Sequence, residues 1–397
     1  MWVFVVSIAV GLAVTTNVYL GSTHPLRFSG ILIVLVLMHL AACRRIWVSR
    51  ETILYAIFAS YSVLSLIWTS DTDLGLGNMN LTINFLLTFV LFSSLVYYNS
   101  VRVVVSGVLL GFLGGALGYT LLSRFPFAFP EEFSYNAIAG MYLFGLFATA
   151  LSGWCLRRHV MATLISLMLL LLIAATTSIK TNLGVMLGTI ASGVMYIRFS
   201  LRAFLRYSLP LAAFLGLLAY AVSSNGPIME RVEAGLARVS IGANLLLSRE
   251  EDVGNIGLDQ RKQWKDEGIQ GWIANPIYGE GVEAFRAEFG ITSHSTPVDL
   301  LYNTGLIGFS LFYALFASIA WRVIGKRNGR ERGLRGLVLA ALACYAFISV
   351  SGTMYYDVNL AAVFAMSAAL LCRAEGQAVM STEISRSAIV NPHEKFT

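Results

Sequence analysis

Near neutral pH a histidine is the side chain best suited to take or give a proton. His294 is the only histidine in residues 223–295, a long polar stretch of an otherwise apolar chain. It lies in Ser293-His294-Ser295-Thr296-Pro297-Val298-Asp299, where the chain turns apolar again. Thr296 reads there as a helix N-cap, Pro297 as the first helical residue and Asp299 as the third-position partner of a capping box. His294 would then sit at the positive end of a helix dipole, a natural place for an anion such as phosphate; a well-capped helix and nothing more is the competing reading. Upstream, Arg261 and Lys265 are one turn apart on the same face of an expected helix. Asp71-Thr72-Asp73 has the spacing of a two-carboxylate cation site, but it reads better as an ordinary acidic loop, and no metal is expected.

These residues must be positioned by membrane helices. Of 397 residues 57% are hydrophobic and only 13% charged, with a mean hydropathy of +0.71, which excludes an ordinary soluble domain. Stretches of the length needed to cross a bilayer are centred on 3–20, 28–43, 52–68, 81–99, 102–122, 134–153, 160–178, 182–198, 203–222, 297–321, 336–351 and 357–372. The expected fold is therefore an all-α polytopic membrane protein of about twelve transmembrane helices with one large loop. Fifteen Lys and Arg flank these stretches on one side, Arg44, Arg157 and Arg322 among them, against Arg27, Arg124 and Lys180 on the other. By the positive-inside rule both termini are cytoplasmic and the long loop is outside. The net charge of +6 follows from those arginines and implies membrane lipid, not nucleic acid, as the partner. Cys43, Cys155, Cys344 and Cys372 all fall within or at the inner ends of the stretches, leaving the loop without a disulfide or a Cys/His zinc cluster. Residues 1–20 lack a basic leader region and read as a retained first span.

Four regions result: helices one to nine in 1–222, the loop in 223–295, helices ten to twelve in 296–373, and a polar tail, 374–397, expected to be disordered. Within the loop, Ile228, Val232, Leu236 and Val239 recur at helical spacing against Glu230, Arg231, Glu233 and Arg238, the pattern of an interfacial amphipathic helix. A second helix is expected from Asp259 to Trp272, a tight turn at Asn275-Pro276-Ile277-Tyr278-Gly279-Glu280-Gly281, and a short helix through Arg286. The loop carries seven Lys and Arg against eleven Asp and Glu, so it is no polycation. No span has a charge near its midplane, where ion-coupled transporters place one. The chemistry is therefore expected at the outer surface.

From Gly257 to Phe309 the chain resembles the superfamily of O-antigen ligases and O-antigen or exopolysaccharide polymerases of the bacterial inner membrane. The resemblance is carried by Arg261 and Trp264, by the 275–281 turn, and by His294 followed at H-x10-G spacing by Gly305, then Gly308. The family often has Asn where Ser295 stands. Trp68-Thr69-Ser70-Asp71 also matches a common loop of the family, one without a metal role. Arg231 and Gly242 fit an R-x10-G spacing described for some polymerases.

The resemblance implies a GT-C-like glycosyltransferase with no cofactor. Its donor would be an undecaprenyl-diphosphate-linked glycan and its acceptor a sugar hydroxyl, met at the periplasmic face. Such a reaction needs the acceptor oxygen held in line with the anomeric carbon, a base for its proton, and positive charge on the leaving diphosphate. His294 is expected to be that base or to orient the acceptor. Arg261 is expected to clamp the diphosphate, since a guanidinium grips phosphate oxygens with two prongs. Lys180, Arg231 and Arg286 are further diphosphate candidates, although a lysine snorkelling to the interface is the competing reading of Lys180. Thr296, Pro297, Asp299, Gly305 and Gly308 form the structural motif. Polymerisation of repeat units is preferred over ligation to lipid A core. Ser178-Ile179-Lys180-Thr181 is closer to the polymerase form of that hairpin than to the Ser-Arg-Gly of ligases, and an acidic loop suits a phosphorylated core poorly. A chain-length regulator and a flippase are the expected partners. A flippase is the alternative from another class, but it should show inverted repeats or a polar midplane cavity.

Overall fold

The computed structural model describes residues 1–23, 25–123, 135–157, 159–176, 178–195, 256–324 and 332–390. Eight helices run through the first half: α1 (Trp2–Thr23), α2 (Pro25–Cys43), α3 (Arg50–Leu64), α4 (Thr72–Tyr98), α5 (Val101–Ser123), α6 (Tyr135–Leu156), α7 (His159–Ala175) and α8 (Ile179–Met195). Two polar-region helices follow, α9 (Ile256–Ala274) and the short α10 (Ala284–Phe289), then α11 (Thr296–Ile324), α12 (Arg332–Val350) and α13 (Val358–Val390). The described residues contain no strand. Eight of these helices are long and apolar enough to cross a membrane, and Trp2–Asn17 and His159–Ala175 are shorter apolar helices. The chain is an all-α polytopic membrane protein. The expected span at 203–222 and the amphipathic helix at 227–247, with Arg231 and Gly242, lie outside the described residues.

The stretch Val358–Glu375 of α13 is 78% buried, whereas Leu26–Cys43 of α2 is 22% buried. α13 is therefore the central post of the bundle, wrapped by α4, α6, α11 and α12, and α2 is on the rim. Beyond that span the helix continues to Val390 instead of giving way to irregular chain at 374, because Ala, Glu, Gln, Met and Arg in this segment favour helix.

Contacts between distant segments separate the two ends of the bundle. At one end Arg322 bridges Glu51 and Glu375, each at 3.0 Å, and Arg373 donates to the Val96 carbonyl at 2.7 Å. At the other end the last turn of α3 and the α3–α4 connection meet the polar region: Tyr61 donates to the Tyr278 carbonyl at 3.3 Å and Thr69 to that of Val282 at 2.7 Å. The residues expected to do chemistry gather at this second end.

α11 departs most from expectation. It is not one unbroken span: Gly305 takes φ 61°, ψ −164° inside it, a region open essentially only to glycine. Two intrahelical bonds are lost, those from Leu306 and Ile307 back to Tyr302 and Asn303. The 275–281 turn replaces them. Leu306 and Ile307 N–H donate to the Pro276 and Ile277 carbonyls at 2.9 and 3.2 Å, while the Tyr302 and Asn303 carbonyls accept from Glu280 and Gly281 N–H at 2.8 Å each. Backbone polar groups in a membrane protein must find partners, and this turn supplies all four.

The start of α11 is also corrected. Asp299 N–H donates to the Ser295 carbonyl at 2.9 Å, so Ser295 and not Thr296 is the N-cap, and Pro297 is one position further in. The Thr296 hydroxyl is taken by another segment, donating to the Gly352 carbonyl at 2.6 Å and accepting from Met354 N–H at 2.8 Å. Asp299 accordingly makes no capping box with it. Asp299 accepts instead from Ser293 N–H at 2.8 Å and from the Thr353 hydroxyl at 3.3 Å.

Candidate active site at one end of the bundle

Three local arrangements aim His294. Its own backbone lies in the left-handed region at φ 56°, an uncommon conformation in which histidine is among the better tolerated residues. On either side Ser293 and Ser295 are tied together: the Ser293 hydroxyl donates to the Ser295 carbonyl at 2.9 Å and accepts from its N–H at 3.2 Å. Asp299, fully buried in the first turn of α11, anchors Ser293 from below. The imidazole is left half-buried against the Trp264 indole, ring centroids 5.5 Å apart and tilted by 41°.

α9 covers this loop and carries Arg261, Trp264 and Lys265 on the facing side. The helix is held down by the aromatic cluster of Phe285, Phe289 and Tyr302, where Phe285 meets Tyr302 edge-on at 5.1 Å. Its last residues lead directly into the 275–281 turn that fills the break in α11. A covalently continuous segment thus fixes the cations of α9 relative to the loop that α11 carries.

The cations meet at the C-terminal end of α12. Lys265 Nζ donates to the Val350 carbonyl at 3.3 Å and Lys180 Nζ to that of Ser351 at 3.5 Å. Both ammonium groups therefore rest on the negative end of a helix dipole. Lys180 does not reach outward as a snorkelling interfacial lysine would. Ser178 places it: the Ser178 carbonyl accepts the first α8 bond from Asn182 N–H at 3.1 Å, and its hydroxyl donates to Asn136 at 2.9 Å. That geometry turns Lys180 inward toward Gly352, with Asp357 nearby.

Burial first, then the positive charges of Arg261, Lys180 and Lys265, hold the His294 pKa below its ordinary value of 6.5. The same proximity to Arg261, after burial, holds the Lys265 pKa down. Among the described residues none of the three cations has an ion-pair partner; the ion pairs found there are both of Arg322. The site is thus a neutral imidazole beside three positive charges, of which Lys180 alone has a carboxyl group, that of Asp357, acting on it; it is able to accept a proton and to bind an anion.

No family model matches the chain. Nor does any curated protein match it.

Of the residues expected from sequence, His294, Arg261 and Lys180 are brought together, with Thr296, Asp299 and Gly305 beneath them. Gly308 is buried one turn beyond the break. Arg286 is not brought in: it is exposed on α10, and its charge acts on Glu283 and Tyr356. Lys265 belongs to the site more directly than sequence suggested, and its one-turn spacing from Arg261 was the available signal. Glu283, buried and left-handed at φ 60°, gave no sequence signal. Asp71 caps α4, accepting from Leu74 N–H at 2.9 Å. No group of three or more metal-binding side chains occurs among the described residues.

Proposed function

We propose that the protein is an inverting glycosyltransferase of the O-antigen ligase and polymerase superfamily. It would act at the periplasmic face of a bacterial inner membrane, with a lipid-diphosphate-linked glycan as donor. One observation carries the reading: the charges of Arg261, Lys180 and Lys265 all act on His294, a base beside a cluster of cations. His294 takes the proton of an acceptor hydroxyl as that oxygen forms its bond to the anomeric carbon. The bond from that carbon to the diphosphate breaks on the opposite face, and the lipid diphosphate leaves with the electron pair. Arg261 grips it with two prongs while the lysines act as point charges. Three side-chain cations supply the charge a divalent ion would otherwise provide. Transfer is expected to persist in EDTA, and loss restored by Mg²⁺ would sink the metal-independent scheme.

Arg261→Lys is the sharper test, because it keeps the charge and removes the fork. With purified protein and a lipid-diphosphate repeat unit, turnover should fall about 100-fold; wild-type turnover would remove Arg261 from the mechanism. The pH profile adds a signed prediction. The acid limb should lie below pH 6.5, because burial first, and then the neighbouring cations, favour neutral His294. In Arg261→Gln that limb should move to higher pH, since one of the charges opposing protonation is gone.

Polymerisation of repeat units is the preferred form of the reaction, with ligation to lipid A core second. An open groove of about 690 Å³ runs along the outer side of α9 between Asp266, Glu267, Glu288, Phe289 and Tyr302, with Lys262 as its one cation. Carboxylates and aromatic faces suit sugar hydroxyls and ring C–H groups, and they repel a phosphorylated core. A deletion strain separates the two forms. Loss of a polymerase leaves single repeat units on their final acceptor, whereas long polymer stranded on the lipid carrier would show a ligase.

Twelve spans with both termini cytoplasmic complete the reading. A cysteine placed at exposed Gln263 on α9 should react with an impermeant thiol reagent in intact cells, while native Cys372 should not. Labelling of Gln263→Cys only after lysis would invert the orientation.

A further inference from the structure

Three consecutive backbone carbonyls at the end of α12 are each taken by a different helix. The Val350 carbonyl accepts from Lys265 of α9 at 3.3 Å and the Ser351 carbonyl from Lys180 of α8 at 3.5 Å. The Gly352 carbonyl accepts twice from Thr296 of α11, from its N–H at 3.1 Å and its hydroxyl at 2.6 Å. The chain just beyond extends the attachment: the Thr353 hydroxyl donates to Asp299 at 3.3 Å and Met354 N–H to the Thr296 hydroxyl at 2.8 Å. The last carbonyls of a helix have no partner within it. α12 therefore ends in free acceptors, and two cations and the start of α11 fill them.

Gly352 stands where the cation and the α11 contacts meet. It is buried, and its backbone is not in the left-handed region, so conformation alone does not call for glycine. Space does. A Cβ added at Gly352 would overlap the Lys180 Nζ, whereas its next contacts, Lys180 Cε at 3.4 Å and the Ile348 carbonyl oxygen at 3.5 Å, are ordinary approaches. The ammonium thus fills the place that a side chain would take. It donates to one carbonyl, and an ammonium has three donors, so it can hold an anion without leaving its seat.

We propose that Gly352 is a positioning residue: its missing side chain seats the Lys180 ammonium for an anion, and its carbonyl holds the start of α11, two residues from His294. One residue thereby fixes the cation of α8 relative to the base on the α11 loop. Alanine at 352 keeps the carbonyl and displaces only the ammonium, which swings off the Ser351 carbonyl on a flexible stem. The effect on glycan transfer presupposes the transferase reading, whereas the seating of Lys180 does not.

A double-mutant cycle of Gly352→Ala and Lys180→Met, in the full-length protein in detergent, tests this. Methionine ends at the atom where lysine has Cε, so Lys180→Met removes the group that the added methyl would meet. Inorganic pyrophosphate without divalent ions is the probe, its binding followed by calorimetry at pH 7. Gly352→Ala and Lys180→Met should each weaken it about tenfold, and the double variant should bind no worse than Lys180→Met alone. With the lipid-diphosphate donor, kcat/KM should show the same pattern. Losses that multiply in the double variant would make Gly352 independent of Lys180 and overturn the seat. It is equally overturned by wild-type protein that binds no pyrophosphate, or by an affinity that Gly352→Ala leaves untouched. An unfolding midpoint lowered by Gly352→Ala even when Lys180 is replaced would show that the chain path itself needs glycine, again overturning it. Non-additive loss of pyrophosphate binding in a protein that transfers no glycan supports the seat and overturns the transferase reading instead.

Discussion

Replacing His294 should lower glycan transfer about 1,000-fold, the contribution typical of a positioned general base, and leave the protein level in the membrane unchanged. The backbone decides which substitution tests this fairly. At φ 56° an alanine would be strained, so a loss in His294→Ala would mix chemistry with conformation. Asparagine visits the left-handed region readily and cannot act as a base at neutral pH. His294→Asn should therefore fold as the wild type does and be as inactive as His294→Ala. If it kept more than about a tenth of wild-type turnover, proton transfer to His294 would not be the step that limits the reaction.

Gly305→Ala carries the largest expected effect on stability. A Cβ there would lie 2.3 Å from the Ile277 carbonyl oxygen and 2.6 Å from the Gly279 nitrogen, both backbone atoms that cannot swing aside. Its φ and ψ are also closed to alanine. The two penalties together should cost about 3 kcal/mol or more, read as a lowered unfolding midpoint in detergent. Gly30→Ala, inside α2 where nothing lies within 4 Å of an added Cβ, is the control, and it should equal the wild type or exceed it by up to about 1 kcal/mol. Equal midpoints for Gly305→Ala and Gly30→Ala would mean that α11 is not broken at Gly305. A Cβ at the partner position, Gly279, would lie 2.5 Å from the Tyr302 carbonyl oxygen on the other side, so alanine at either glycine pushes the same two segments apart.

What the sequence made legible follows a physical division. Hydropathy places helices because burial in lipid demands long apolar runs, and the helices of α1 to α8 and α11 to α13 fall on the stretches it marks. Periodicity placed Arg261 and Lys265 on one face, and the helix found at Ile256–Ala274 includes the one expected from Asp259 to Trp272. The failures share a cause. Thr296 looked like a cap because its own neighbours suit one, yet its hydroxyl is claimed by Gly352 and Met354, 56 and 58 residues away. Lys180 looked free to snorkel until the end of α12 came within its reach. Glu283 could not be singled out at all, because its burial depends on α4, α11 and the α12–α13 connection at once. Local grammar reads helices and turns; it does not read which distant carbonyl a side chain will find.

The break in α11 also constrains the order in which the protein can be made. A helix entering a bilayer ordinarily brings its hydrogen bonds with it, complete. α11 cannot, since the Tyr302 and Asn303 carbonyls and the Leu306 and Ile307 amides depend on residues 276–281. Those residues precede the break in the chain and are synthesised before it. Insertion of α11 thus waits on no later segment, and the turn acts as a chaperone encoded in the same polypeptide.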